Sequence, residues 1–203
     1  AIMARLLFTA REFGSLADPV NPAAIENLET LIGKPVQLMQ QTHGNNLFEV
    51  KSFENIKQNT DSLITSNKDL ALAVRVADCI PLLLYSASLI AAVHVGRRGL
   101  INEVAAKTVA KMRTLGAIEI SGVAGPHICG DCYEVGDDMA EQIHKSHPTT
   151  GGKKGHLNLF AGLKDQIKEV NLENVNICTK ENNQYFSYRN SAEPGRQVGV
   201  ISL

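Results

Sequence analysis

The chain is 203 residues long, 44% hydrophobic and 20% charged, which excludes a disordered protein and fits one large domain. Its 20 basic and 21 acidic side chains leave a formal net charge of −1, which excludes a broad basic footprint for nucleic acid or anionic lipid. The longest apolar runs, such as Leu89–Val93, fall far short of a membrane span, and the N-terminus lacks a secretory pattern.

The expectation is therefore a cytoplasmic protein with no nucleic-acid or membrane partner. Ala1-Ile2 reads as a cloning remnant ahead of a native start at Met3, with a single domain over 3–203. Four cysteines, at 79, 129, 132 and 178, are too few for a disulfide scaffold and stand as core thiols, metal ligands or nucleophiles.

In chain order, Arg5–Ala10 reads as a strand. Asn21-Pro22 supplies an N-cap and a first-turn proline, and Gly33 a stop, which predicts a helix over Pro22–Ile32. Val36–Gln41, Leu47–Lys51 and Ser62–Thr65 are strand-like. Leu70–Val76, Ile80–Tyr85 and Leu89–Val95 are continuous apolar runs, the pattern of strands buried on both faces under helices. Leu100, Val104, Val109 and Met112 predict an amphipathic helix over Leu100–Leu115. A strand over Ile118–Val123 and helices over Val135–His144 and Leu159–Val170 follow. Strands are expected at Val175–Cys178, Tyr185–Tyr188 and Gln197–Ser202, and Pro148–Gly155 reads as a mobile loop. No repeat or coiled coil interrupts this order. The fold class is α/β or α+β, one domain around a buried sheet.

Four places could carry chemistry. His43-Gly44 follows a strand and puts an imidazole where backbone or ligand can approach, although a hydrogen-bonded turn histidine explains it as well. Asp78-Cys79 sits between two apolar strands; Cys79 could be core filler, but Asp78 must be paired, exposed or functional. His94 to Gly99 runs from a strand end into a helix, with two arginines between glycines, either an anion site or a tight turn. His43, Cys79 and His94 lie at strand ends that could converge, and a His₂Cys set leaves a zinc ion one open position. The fourth place, Cys129-Gly130-Asp131-Cys132, is a CxxC. A redox pair or half a structural zinc site are its sharp readings, but no second CxxC is present, so a substrate-lining loop carrying Tyr133 is preferred. Tyr188-Arg189 and Gly195-Arg196 add aromatic and cationic groups suited to a pocket wall.

The ordered set Gln41-Thr42-His43-Gly44, Thr60-Asp61-Ser62-Leu63-Ile64-Thr65, Ala77-Asp78-Cys79-Ile80-Pro81-Leu82, Ala92-Val93-His94-Val95-Gly96-Arg97-Arg98-Gly99, Gly125-Pro126-His127-Ile128-Cys129 with Tyr133-Glu134-Val135-Gly136, and Phe186-Ser187-Tyr188-Arg189 resembles the YfiH/YlmD family. That family is also labelled laccase-domain or multicopper polyphenol oxidase, and is related to the human laccase-domain protein of purine metabolism. The resemblance covers the chain from about residue 36 onward. It implies a single-domain sandwich of mixed sheets covered by helices, likened to the cytotoxic necrotising factor domain and other cysteine hydrolases. It implies zinc, ahead of copper, on His43, Cys79 and His94. It implies purine nucleosides and phosphate as small-molecule partners: phosphorolysis of adenosine, inosine and methylthioadenosine, and hydrolytic deamination of adenosine. Where the family has Gly-Trp-Arg-Gly this chain has Gly96-Arg97-Arg98-Gly99, so a cation replaces a flat ring. The family's N-terminal Gly-rich stretch and Asn-Leu motif are not evident, which leaves part of the pocket to be rebuilt or supplied by a neighbouring chain in a homo-oligomer.

On that basis Asp78 is the nearest acid for a proton shuttle. Arg98 and Arg189 are assigned to phosphate from charge and position, and Tyr133 and Arg189 to substrate. Three rivals stand beside this reading. One is a Cys79–His94 amide hydrolase of cell-wall peptides. Another is a copper phenol oxidase, disfavoured because two clustered histidines cannot serve several coppers. The last is a non-catalytic binding module.

Overall fold

The computed structural model describes residues 4–54 and 56–203, so the expected start at Met3 and the remnant before it lie outside the described residues. The strands are β1 (Arg5–Phe8), β2 (Val36–Gln37), β3 (Leu47–Glu49), β4 (Ser62–Thr65), β5 (Ala71–Val76), β6 (Ile80–Tyr85), β7 (Ile90–Val95), β8 (Ser121–Ala124), β9 (Asn171–Asn174) and β10 (Gln197–Ser202). The helices are α1 (Pro22–Ile32), α2 (Arg97–Ile101), α3 (Val104–Thr114), α4 (Asp137–Ser146), α5 (Leu159–Gln166) and the single turn α6 (Tyr188–Ser191). Among the described residues no helix is long and apolar enough to cross a membrane.

Period-two alternation sorts these strands into a sandwich. A four-stranded sheet, β1-β10-β5-β2, faces a six-stranded sheet, β3-β4-β7-β6-β8-β9, and both are mixed. Leu72, Val74 and Val76 of β5 and Ile201 of β10 pack between the sheets against Leu63, Leu83, Ile90 and Ala92. The alternate residues Ala71, Ala73, Val198 and Val200 turn outward to Leu28 and Ile32 of α1. On the opposite outer face, Ile64, Leu82, Leu84, Val93 and Val95 are covered by α3 and α5. The result is helix, sheet, sheet, helix, which explains why β5 and β7 are buried along their whole length. It is the single-domain α/β sandwich that the resemblance implies.

Local chemistry sets the elements where it is strong. Asn21 caps α1 by accepting from Ala23 N–H, and Gly33, at φ +77°, closes it with an N–H to Glu29 C=O. Where local signals are weak, tertiary contacts decide. The helix expected over Leu100–Leu115 breaks at Glu103, which adopts φ +58°. Around the break the Leu100 carbonyl accepts Gln166 Nε2 beside Glu103 N–H, and the Asn102 carbonyl accepts Asn45 Nδ2, both side-chain bonds at 2.8 Å.

Several expected strands are shorter or displaced. Of Val36–Gln41 only two residues form a ladder, with Met39 adding one bridge to Lys57. The strand expected at Ile118–Val123 is Ser121–Ala124, and Ile118 is 86% exposed. The last strand of the larger sheet is the polar edge Asn171–Asn174, whereas the expected Val175–Cys178 contributes one bridge, Cys178 to His127. Tyr185–Tyr188 is no strand either; it leads into α6, capped by the Ser187 hydroxyl. Pro148–Gly155 begins with a 3₁₀ turn whose Thr150 is fully buried and accepts Asn158 N–H through its carbonyl.

Candidate active site

The site forms at one end of the sandwich, where β5, β6 and β7 present their ends. Its organiser is Asp61, fully buried just ahead of β4. Asp61 Oδ2 accepts the backbone N–H groups of Thr42 at 3.2 Å and Gly44 at 2.8 Å, and Oδ1 accepts that of His43 at 3.0 Å. These bonds hold the 42–44 turn with His43 at φ +59°. Oδ1 also lies 2.8 Å from His94 Nδ1, at the end of β7. Burial favours the neutral acid, but the His94 bond and the turn N–H groups outweigh it and hold the Asp61 carboxyl at about 2.

Cys79 enters from the turn between β5 and β6, where Asp78 adopts φ +89°. Its Sγ is 3.8 Å from His43 Nε2, and the His43 and His94 rings meet edge to face at 4.6 Å. One donor atom from each of His43, Cys79 and His94 lies within 4.8 Å of the others. His94 Nδ1 is taken by Asp61, so Nε2 is its free ligand atom. Burial would raise the Cys79 thiol, but the two histidines outweigh it and bring it down; burial would lower His94, but Cys79 and Asp61 hold it up. Both shifts favour a thiolate at Cys79 beside a protonated His94.

Space at this point is shaped to the donors. A Cβ on Gly96 would come within 2.9 Å of Cys79 Sγ and 3.1 Å of His43 Cδ2. Two imidazole nitrogens, one thiolate and a carboxylate behind a ligating histidine fit a metal ion with one position left open. The centre opens into a cavity of about 270 Å³, whose wall includes Gln41, Arg75 and Arg196. Arg75, buried on β5, is held by Asp18 at 2.5 Å and by the Met39 carbonyl. Gln41 extends the sheet with its side chain, exchanging two hydrogen bonds with the Arg75 backbone.

The other sequence-picked residues lie around this centre in different states. Asp78 has both carboxylate oxygens engaged, Oδ1 by Thr179 Oγ1 at 2.7 Å and Oδ2 by Arg189 N–H at 2.8 Å. Its backbone carbonyl accepts Ile128 N–H at 2.9 Å, so this one residue ties three distant segments together. Arg189 lies over the Tyr133 ring, 4.9 Å from its centre, and donates to the Glu134 carbonyl. The Tyr133 hydroxyl is pushed up by burial first and by the Cys79 charge second, which places it in the field of the centre. Arg97, in the position of the family tryptophan, contacts Met139 Sδ on α4. Arg98 is exposed in the first turn of α2, two residues beyond Gly96, and is not among the cavity-lining residues, whereas Arg75 and Arg196 are.

Asp61 and Arg75 received no role in the sequence reading. Each carried a signal: a charged residue opening or interrupting an otherwise apolar strand must find a buried partner. Neither partner could be named without the sheet order, because Asp61 meets His94 only through the pairing of β4 with β7.

Comparison with known proteins agrees with the fold. The chain is 38% identical to a purine nucleoside phosphorylase of Corynebacterium glutamicum, over 92% of this chain and 83% of that one. It is 34% identical to a purine nucleoside phosphorylase of Mycobacterium tuberculosis, over 89% and 80%. It is 32% identical to an adenosine deaminase from an unknown prokaryotic organism, over 65% and 57%. The fold matches the hypothetical protein YfiH of Bacillus licheniformis with a TM-score of 0.84 at 22% identity, covering 98% of this chain and 92% of that one. It also matches a Neisseria meningitidis protein with a TM-score of 0.81 at 25% identity, over 98% and 94%. Residues 21–203 match the profile of the multi-copper polyphenol oxidoreductase laccase family, and the chain belongs to that enzyme family.

Proposed function

We propose that the chain is a zinc-dependent purine nucleoside enzyme of the cytoplasm, cleaving adenosine, inosine and methylthioadenosine with phosphate and deaminating adenosine with water. The observation that carries this reading is the convergence of His43, Cys79 and His94 at the floor of a cavity walled by arginines. At about 270 Å³ the cavity is near the lower end of small-molecule sites, which run to roughly 300–1,000 Å³. The names of the relatives supply the substrate class.

Zinc held by His43, Cys79 and His94 supplies a Lewis acid with one open position. Copper ranks second, since a single His₂Cys set does not make a multicopper centre. Asp61 fixes the His94 ring and keeps its Nδ1 proton, so that Nε2 faces the donor set. In phosphorolysis a phosphate oxygen bonds to ribose C1′ as the glycosidic C–N bond breaks and the purine nitrogen takes up a proton. The arginines of the cavity wall, Arg75 and Arg196, neutralise the entering phosphate, a role expected from the sequence of Arg98 and Arg189, which stand outside that wall. In deamination water adds to the purine carbon bearing the amino group and ammonia leaves. Tyr133, backed by Arg189, offers the flat surface for the base. Asp78 is a positioning residue here, because both its oxygens are occupied in holding the Thr179 and Arg189 segments.

A second reading has one specific observation behind it. Asp61, His94 and Cys79 follow one another as orienting acid, base and thiolate, the order of a Cys–His hydrolase, for which cell-wall peptides are the candidate substrate. Metal quantification on the purified chain, with product analysis on a nucleoside panel with and without phosphate, separates the two. Stoichiometric zinc and loss of turnover in Cys79→Ala support the nucleoside enzyme; turnover of adenosine unchanged in Cys79→Ala overturns it.

A further inference from the structure

A second set of soft donors converges away from the cavity. Cys129 and Cys132 lie in the loop after β8, and Cys178 and Glu181 in the turn after β9. One donor atom from each, three sulfurs and a carboxylate oxygen, lies within 4.8 Å of the other three. Cys129 N–H points at Cys178 Sγ at 3.4 Å, and the Cys132 thiol at Glu181 Oε1 at 3.4 Å. All three are free thiols, half-buried rather than packed away in the core.

The dimensions suit a metal. With Zn–S bonds of ~2.3 Å, sulfurs on a tetrahedron stand about 3.8 Å apart. The four donors therefore need to close by no more than about 1 Å to meet a common ion. The backbone around them is already fixed. His127 N–H bonds to the Ile177 carbonyl and Thr179 N–H to the His127 carbonyl, clamping the two segments beside the cluster. Cys132 N–H and Tyr133 N–H both turn back to the Cys129 carbonyl, and Asn182 N–H to that of Cys178. A divalent ion would take these donors as thiolates, each thiol releasing its proton to solvent as the bond forms.

We propose that Cys129, Cys132, Cys178 and Glu181 form a second metal site, taking zinc or another thiophilic divalent cation and stapling the 125–136 loop to the 175–182 turn. Four protein donors complete the tetrahedron and leave no open position, so the site is structural rather than catalytic. What it braces is the setting of Asp78, the chain neighbour of Cys79. Ile128 and Thr179 are the two residues of these segments that hold Asp78, and the CxxC runs directly into Tyr133 and Glu134, which seat Arg189.

The test uses the full chain carrying His43→Ala and Cys79→Ala, so that the first centre contributes no metal. Expressed with zinc and purified under reductant, this background retains about one zinc per chain, and adding Cys132→Ser and Cys178→Ser removes it. Cobalt replacing zinc in the background gives thiolate-to-cobalt charge-transfer absorption, which the serine variants lose. Because those variants are open to misfolding, Glu181→Cys provides the opposite arm: a fourth thiolate intensifies the band and tightens binding at least tenfold against a chelator. A folded background protein without zinc and without a cobalt–thiolate band overturns the proposal. So does a full zinc retained after Cys132→Ser and Cys178→Ser, or a Cys129–Cys132 disulfide persisting under reductant.

Discussion

Asp61 Oδ1 stands 2.8 Å from His94 Nδ1, with both side chains buried, and the same carboxylate gathers the N–H groups of the turn that carries His43. One acid thus orients two of the three donors of the centre from behind. Removing it separates orientation from ligation, since Asp61 belongs neither to the cavity lining nor to the donor set. Asp61→Asn is expected to weaken metal binding by about 10- to 100-fold, the usual effect of losing the partner of a ligating histidine. Asp61→Ala is expected to cost about 3–5 kcal/mol of stability, because it strands His94 and the turn N–H groups. Chelator competition reads the first and urea unfolding the second.

The same carboxylate contributes an acid-sensitive part of the protein's stability. Its folded value, about 2, lies below the ordinary 3.8, so its contribution is fully present above 3.8 and is lost as pH falls through about 2. The amount at stake is on the order of 2 kcal/mol. Thermal unfolding followed from about pH 4 to pH 2 should show this acid arm in the wild type and a flatter one in Asp61→Asn.

Cys79 is held down towards the thiolate by His94 and His43 against the effect of burial. Metal-free protein should therefore be alkylated by iodoacetamide at Cys79 at neutral pH and below, where an ordinary thiol is mostly protonated. Saturating zinc should suppress that labelling. Mass mapping of the modified cysteine as a function of pH gives the result, and labelling that rises only above pH ~8 contradicts it.

Gly96 is needed for the space it leaves empty. In Gly96→Ala the new methyl meets Cys79 Sγ at 2.9 Å and His43 Cδ2 at 3.1 Å, so the thiolate and the imidazole must separate. Overpacking of this kind costs about 1–3 kcal/mol. At this position the larger effect is expected on the donor set: metal content should fall at least tenfold while circular dichroism stays that of the wild type.

Asp78 and Thr179 test positioning apart from chemistry. Thr179→Val removes a buried hydroxyl 2.7 Å from Asp78 Oδ1 and leaves that oxygen without its partner, at a cost of about 1–3 kcal/mol. The Arg189 segment then loses its anchor, so KM for nucleoside should rise several-fold with kcat and zinc content nearly unchanged. A fall in kcat at constant KM would instead place Asp78 in proton transfer.

Much of this protein is written in local pattern. The apolar runs at Leu70–Val76, Ile80–Tyr85 and Leu89–Val95 appear as β5, β6 and β7, and the Asn21 cap and Gly33 stop bound α1 to the residue. Strong periodicity and strong capping chemistry act within a few residues, and so survive folding unchanged. The elements that moved had neither: β9 is a polar edge with one leucine, and the α2–α3 break depends on Gln166 and Asn45 arriving from elsewhere. His43, Cys79 and His94 were identifiable because each sits beside a strand end, where a sheet necessarily gathers side chains.

The partners of those residues belong to the third dimension. Asp61 reaches His94 because β4 lies beside β7, and Asp78 reaches Thr179 and Arg189 across more than a hundred residues. The CxxC is the clearest case. As a stretch of sequence it is half a metal site, and its other half, Cys178 and Glu181, is delivered by the parallel pairing of β8 with β9. Strand formation is driven by burial that neighbouring residues share, so it can be read along the chain. Convergence of donors depends on which strands pair, and that is settled only when the two sheets close on one another.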